Sequence, residues 1–304
     1  MFDLSFAPTY ATAAGQCYHG DSLDVLKEVP DDSVALVMTS PPFALRRQKA
    51  YGNVTPAQYV EWFWPFAAEI HRVLRPDGSF VLDLGGAWNR GSGTRSMYPY
   101  ELILRLTKIF HLAQEFYWYN PSKLPTPAEW VTIRRTRVKD SVTTLWWLSK
   151  TDSPNADNRR VLKPYSPSMR RLLRDGYETA RRPSQHDIGP HFRRDNGGAI
   201  PPNLLQVPNT RSSDEYFRRC RAAGLPIHPA RFPNPVPEFF IRFLTEPGQL
   251  VVDPFAGSNV TGFEAEKLGR RWLAIELNAD YIAGSRLRFD EAALSSAPLG
   301  SAAA

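Results

Sequence analysis

The stretch Leu250-Val251-Val252-Asp253-Pro254-Phe255-Ala256-Gly257-Ser258-Asn259 passes from an apolar run into a turn of small residues, and Val260 to Leu268 then takes up helical spacing. Strand, tight turn and helix in that order open a βαβ unit, and such a turn lets a nucleotide-like ligand lie against the backbone. Trp272 to Ile275 supplies the second strand. At its end, 23 residues after Asp253, Glu276 stands where an acid accepts hydrogen bonds from both ribose hydroxyls of an adenosine. Turn and acid together predict a nucleoside site.

Two nucleoside ligands compete for it. Gly257 and Gly262 match the first and third glycines of a dinucleotide-binding G-x-G-x-x-G, but Asn259 occupies the middle position, where a side chain obstructs a pyrophosphate. S-adenosylmethionine carries no pyrophosphate and suits the turn better. On that reading Ala256, Gly257 and Ser258 form the cradle, and Asp253 accepts from the ammonium at the methionine end. The plain alternative is a βαβ turn with no ligand.

Outward from this unit the alternation continues. A helix from Pro235 carries Phe239, Phe240, Phe243 and Leu244, and a last helix starts near Asn278. Near the N-terminus, Val34 to Met38 and Ser79 to Leu84 read as buried strands, the second bounded by Pro76-Asp77-Gly78 and Gly85-Gly86. Between them Pro56 to Leu74 places Tyr59, Trp62, Phe63, Phe66, Ile70 and Leu74 on one helical face. Thr143 to Leu148 is strand-like in its threonines and tryptophans. Strands alternating with helices predict an α/β fold, a mostly parallel Rossmann-like sheet covered on both faces.

After Lys150 the texture changes to short polar pieces interrupted by eight prolines up to Pro208. Residues 151–225 hold 14 Lys and Arg against 8 Asp and Glu, so the whole net charge of +6 lies there. The expected organisation is a catalytic domain in two pieces, 1–150 and 226–291, around a basic insert. The tail 292–304 has little to bury and is expected to be disordered. Four arginine pairs, Arg159-Arg160, Arg170-Arg171, Arg181-Arg182 and Arg193-Arg194, and a fifth at Arg218-Arg219, mark the insert. With Arg46, Arg47 and Lys49 they are the expected phosphate and base-edge contacts, although any one pair alone is more often a solvated face.

Cys17 and Cys220 are too few for a disulfide framework, and no histidine and cysteine spacing suggests a metal. The start MFDLSFAPTYATAAGQCYHG lacks the basic and apolar segments of a signal peptide, and no apolar run spans a bilayer. A cytoplasmic protein is expected, without membrane attachment.

Leaving the strand at Met38, the chain reads Thr39-Ser40-Pro41-Pro42-Phe43. Consecutive prolines fix φ and present carbonyls without NH donors, so this loop holds acceptors rigidly outward. Acceptors suit an amino substrate. The exocyclic nitrogen of cytosine or adenine is a poor nucleophile because its lone pair is delocalised into the ring. Hydrogen bonds from its two protons to Ser40 Oγ and the Pro41 carbonyl favour a tetrahedral nitrogen aimed at a sulfonium methyl, with Phe43 stacking on the base. Such a base must first leave the duplex. Asp83, at the end of the neighbouring strand, is expected to orient Ser40 or take up the released proton, a structural cap on Gly85-Gly86 being its other reading. Ring-carbon methylation of cytosine requires a cysteine nucleophile, which in the enzymes of that type follows a proline, whereas Cys17 follows Gln16 and Cys220 follows Arg219.

Asp253-Pro254-Phe255-Ala256-Gly257-Ser258 and Ser40-Pro41-Pro42-Phe43 resemble the cofactor and catalytic motifs of the DNA amino-methyltransferases of restriction and modification systems. The resemblance extends from about Gly15 to Leu287 and includes Gly20-Asp21, Trp118-Tyr119-Asn120-Pro121 and Arg137-Val138-Lys139-Asp140. It implies the circularly permuted, β-class order, with the catalytic loop first, a target-recognition insert second and the cofactor turn last. It further implies that Phe255 lies against the cofactor, that His228 to Pro233, including Phe232, walls the pocket, and that Asp21 sits near the adenine. From its own context Asp21 is equally an N-cap. Serine at position 40 resembles the N4-cytosine enzymes, the N6-adenine enzymes usually having aspartate there. The implied partners are double-stranded DNA and a restriction endonuclease of the same site. A DNA-binding protein that retains the cofactor without catalysis is the alternative of another class.

Overall fold

The computed structural model describes residues 3–44, 54–89, 91–176, 194–209 and 215–289. The expected disordered tail lies outside these residues. Contacts divide the chain into a large unit, residues 1–156 and 203–304, and a small one, Asp157–Pro202.

The large unit is built on one sheet. In chain order its elements are β1 (Tyr10–Ala11), β2 (Gly15–His19), α1 (Ser22–Glu28), β3 (Val34–Thr39), α2 (Tyr59–Val73), β4 (Leu74–Leu84), α3 (Tyr98–Leu106), β5 (His111–Tyr119) and β6 (Val142–Ser149). After α4 (Pro167–Asp175), which lies in the small unit, come β7 (Leu204–Gln206), α5 (Glu215–Ala222), α6 (Pro235–Leu244), β8 (Leu250–Asp253), α7 (Val260–Lys267), β9 (Arg271–Glu276) and α8 (Ala279–Arg286). The strand order is β1-β2-β9-β8-β3-β4-β6-β5-β7. Strands β2, β9, β8, β3 and β4 are parallel, while β6 enters antiparallel between β4 and β5. This is the mostly parallel α/β sheet that the sequence predicts. All six residues of β3 are buried, as a strand covered on both faces requires.

The register makes neighbours of distant motifs. Strand β8 lies directly beside β3, with Leu36 opposite Val251 and Val37 opposite Val252. The catalytic loop and the cofactor turn therefore leave adjacent strands at the same edge of the sheet, more than 200 residues apart in sequence.

Helix α2 buries Tyr59, Phe63, Phe66, Ala67, Ile70 and Val73, the spacing that the sequence predicts. Its start differs: Pro56–Gln58 is a 3-10 turn, and the α-helix begins at Tyr59. Strand β4 begins at Leu74, before Pro76-Asp77-Gly78. The register against β3 shifts between Val34 and Leu36, so these residues form a bulge within one strand rather than a turn between two elements.

The small unit is narrower than the expected insert, 151–225. It contains α4, capped by the Ser166 side chain on Met169 N, and a bridge between Lys163 and Ala199. Strand β7 and helix α5 belong to the large unit: β7 extends the sheet on β5, and Cys220 of α5 contacts the Gly284 carbonyl of α8. Prolines 201, 202 and 208 around three sheet residues hide this strand from pattern reading. Among the described residues no helix is long and apolar enough to cross a membrane.

Candidate active site

A cavity of about 620 Å³ opens at the carboxyl edge of the parallel strands, and both motifs line it. Ser40, Pro41, Pro42, Phe43 and Asp83 stand at one end; Phe255, Ala256, Gly257, Ser258 and Glu276 stand at the other.

At the first end the Ser40 hydroxyl donates to Asp83 Oδ2 at 2.9 Å. Asp83 is buried in β4, and burial pushes its carboxyl up to about 7, with the Ser40 hydrogen bond and the Lys123 ammonium acting in the opposite direction. Its other oxygen, Oδ1, is buried and takes no hydrogen bond among the described residues. Since Ser40 commits its proton to Asp83, its lone pairs are left to accept from an incoming amine. The Pro42 carbonyl is engaged by Tyr59 Oη at 2.9 Å, which pins the proline loop to α2. The Phe43 ring lies against Gly85, where a Cβ would overlap it. Tyr98 Oη donates to the Gly85 carbonyl and holds that support in place. Asp83 thus contacts the serine and not the Gly85-Gly86 backbone.

At the second end, Glu276 closes β9. Its Oε2 accepts from Gly257 N at 2.8 Å and its Oε1 from Asn278 N at 2.9 Å, and burial raises its carboxyl above the usual range. Each oxygen keeps a lone pair for a diol. Gly257 has φ +54, and a Cβ there would come within 3.0 Å of the His228 ring, so the turn passes close beneath that histidine. Burial pushes His228 down to about 4, leaving it neutral at physiological pH. Phe255 packs on Phe66 with ring centroids 5.0 Å apart and on Trp62 at 6.0 Å, forming an apolar wall. Phe232 lines the same cavity and stands 6.5 Å from the Trp118 ring. Asp21 caps α1 through Leu23 N at 2.8 Å and also lines the cavity.

Asp253, which the sequence places at the ammonium of the ligand, lines the cavity and accepts three hydrogen bonds from the protein. Oδ1 accepts from Thr39 Oγ1 at 2.6 Å and Phe255 N at 3.1 Å, and Oδ2 accepts from Thr261 Oγ1 at 2.8 Å. Burial raises its carboxyl to about 6 in spite of these bonds, and its position ties β3 to the turn. Asn259, expected to project into the turn, is fully buried and points inward. Its backbone takes the left-handed conformation at φ +51, which asparagine tolerates. Its Oδ1 caps Gly262 N at 3.0 Å, and its Nδ2 donates to Tyr10 Oη at 3.0 Å. A Cβ on Gly262 would overlap this amide, which explains the second glycine. The cradle therefore stays open despite an asparagine in it.

Trp62, Phe66, Trp118, Lys123, Thr143 and Asn209 also line the cavity, and sequence reasoning does not mark them as site residues. Trp62 and Phe66 read as core from helical spacing, and Trp118 is visible only in a family-like stretch. Lys123 and Asn209 carry no local signal, since they arrive through loop paths between strands. Arg46, Arg47, Lys49, Arg181, Arg182 and Arg193 lie outside the described residues. In the small unit Arg159 pairs with Asp157 at 2.7 Å, Arg160 stands 3.8 Å from the same carboxylate, and Arg170 donates to the Tyr165 carbonyl. Arg171 and Arg194 are exposed. On α5, Arg218 and Arg219 both pair with Glu215. No group of residues able to hold a metal occurs among the described residues.

Adenosine-like and sulfonium-bearing ligands fit what is present: a diol acceptor in Glu276, a glycine at positive φ under the ligand and an aromatic wall. The comparisons agree. A DNA methylase family model matches residues 34–286. The chain is 51% identical over 294 residues to the Type II methyltransferase M.PvuII of Proteus hauseri, with 95% of this chain and 88% of that protein covered. It is 27% identical to the DNA adenine methyltransferase YhdJ of Escherichia coli (strain K12), over 93% of this chain and 85% of the relative. Among solved structures, PvuII DNA methyltransferase (cytosine-N4-specific) superposes with a TM-score of 0.78 at 45% identity, covering 95% of this chain and 91% of that one. TTHA0409 of Thermus thermophilus, complexed with S-adenosyl-L-methionine, shares the fold, at TM-score 0.56 and 21% identity, over 90% and 91% of the two chains. With the family model spanning most of its length and half of its residues shared with a modification enzyme, the chain belongs to the DNA methylase family.

Proposed function

We infer that the protein transfers the methyl group of S-adenosylmethionine to the N4 amino group of a cytosine flipped out of duplex DNA, as the modification enzyme of a restriction and modification system. The observation that carries this is the Ser40 and Asp83 pair, joined at 2.9 Å, in the same cavity as the Gly257 cradle and Glu276. The choice of N4-cytosine is supported by Ser40 and by the high identity to M.PvuII, whose solved structure is described as cytosine-N4-specific.

The cofactor, when bound, supplies an electrophilic methyl on a sulfonium. Glu276 would accept from its ribose hydroxyls, and the Phe255 wall would exclude water from the apolar end. Ser40 Oγ accepts one N4 proton and the Pro41 carbonyl the other, so the nitrogen lone pair is drawn out of conjugation. Phe43, braced on Gly85, bounds the base from the side. As the amino group sheds a proton, Ser40 Oγ receives it while its own proton passes to Asp83 Oδ2. A carboxyl near 7 suits this transfer, because it is substantially ionised at neutral pH yet basic enough to hold the proton.

The basic stretch 151–225 is the proposed target-recognition region, with Arg159, Arg160, Arg170, Arg171 and Arg194 on its described part and Arg181, Arg182 and Arg193 beyond it. Arg46, Arg47 and Lys49 would meet phosphates beside the catalytic loop. A nuclease recognising the same site is the expected partner, and the cytoplasm the expected location. Digesting DNA modified by the protein to nucleosides and weighing the methylated one tests the reading. N4-methylcytosine is expected; N6-methyladenine alone refutes the assignment of the base.

A further inference from the structure

The catalytic reading requires a base to leave the duplex, and the vacated stack needs an occupant. The segment after β5 carries a side chain suited to that position. Lys123 lines the cavity at its Asp83 end, and the next residue, Leu124, is 74% exposed. An exposed leucine is unremarkable on a floppy loop, but this one stands on a braced tip. Asn120 Oδ1 accepts from Ser122 N at 3.1 Å, and the Asn120 carbonyl accepts from Lys123 N at 3.2 Å. The Lys139 ammonium donates to the carbonyls of Pro121 and Lys123 at 3.4 and 3.2 Å, clasping both sides of the tip. Pro121 and Pro125 further restrict the backbone on either side of Leu124. Among the residues that line the cavity Leu277 is also strongly exposed, and it follows Glu276 of the cofactor cradle.

We propose that Leu124 enters the duplex where the target base leaves it, as an apolar wedge on the tip that Lys139 braces. The inference rests on the methyltransferase reading above. Leucine is among the side chains that fill unstacked base steps. Rigidity matters because a wedge that must be ordered on binding loses part of its gain to conformational entropy. Leu124 makes no contact with reacting atoms; it is a positioning residue for base extrusion.

The test uses the full-length protein and an oligonucleotide duplex carrying its site, mapped beforehand by sequencing methylated DNA. A second duplex leaves the target base mispaired, which lowers the cost of extruding it. Leu124→Ala is expected to lower kcat/KM on the matched duplex by about tenfold or more, to stay within about twofold of the parent on the mispaired one, and to bind S-adenosylmethionine as before. Leu124→Met should recover most of the matched-duplex rate. Unchanged activity on the matched duplex, or equal loss on both duplexes, overturns the wedge. A parent protein that methylates neither duplex overturns the methyltransferase reading, and the wedge with it.

Discussion

Ser40 and Asp83 act as one unit, since the serine presents lone pairs to a substrate only while its proton is held by the acid. Ser40→Ala or Asp83→Asn should each lower turnover by about 100-fold or more while S-adenosylmethionine affinity stays within about twofold, measured by single-turnover methylation and titration calorimetry. Turnover should rise with pH through about 7, as Asp83 ionises, and Asp83→Asn should lose that dependence. Stability follows the opposite sign. The folded carboxyl holds its proton more tightly than the ordinary carboxyl of the unfolded chain. Between the ordinary carboxylate range and about pH 7 the folded state therefore binds more protons, and stability falls as pH rises through that window. Asp83→Asn should raise the melting temperature most above pH 7, by scanning calorimetry across a pH series. A second residue-scale prediction concerns Asn259. Its amide donates to Tyr10 Oη, which in turn lies 2.8 Å from Ser285 Oγ, itself a donor to the Ile282 carbonyl. Tyr10→Phe leaves the buried Asn259 Nδ2 without this acceptor and should cost about 1 to 3 kcal/mol. In an Asn259→Gly background, where φ +51 costs nothing, the same change should cost less, and denaturant unfolding of the double-mutant cycle reads the difference.

Among the elements, the loops that carry chemistry are set by what lies beneath them. Gly85→Ala places a Cβ where the Phe43 ring rests, so Phe43 must shift into the cavity. Turnover is expected to fall by about tenfold or more, with a stability loss of only about 1 to 3 kcal/mol, by methylation rate and chemical unfolding compared in the same variant. Most strands and helices are legible from period alone: β3, β8, β9, α2, α6 and α7 lie within a residue or a few of where apolar spacing puts them. The exceptions share a cause. Pro76-Asp77-Gly78 reads as a turn, but Val34 and the following β3 residues offer partners on both sides of it, and a bulge preserves the pairing. Strand β7 is three residues among prolines and exists because β5 has a free edge for it. Local sequence holds no record of a partner strand 88 residues away, such as the one that pairs Asn203 with β5.

At the scale of the molecule, the net charge of +6 resides in 151–225, and the proposed contact with DNA makes this an ionic-strength prediction. Replacing Arg170 and Arg171, or Arg159 and Arg160, by alanine should weaken duplex binding and flatten its logarithmic salt dependence by roughly one charge per lost phosphate contact, measured by fluorescence anisotropy. The order of motifs along the chain, catalytic loop before cofactor turn, is visible without coordinates, and the adjacency of β3 and β8 is what makes that order functional. From sequence alone come the α/β alternation, the glycine turn with Glu276, the proline loop with Ser40, and the pairing of Ser40 with Asp83. Each depends on local backbone geometry or on chemistry that one residue type can supply. Only the tertiary structure decided that Asp253 ties β3 to the turn through Thr39 and Thr261, that Asn259 points into the core toward Tyr10, and that Lys123 enters the cavity beside Asp83. These are questions of which hydrogen-bond donor reaches a given acceptor, and the donors come from strands and loops that meet only when the sheet is assembled.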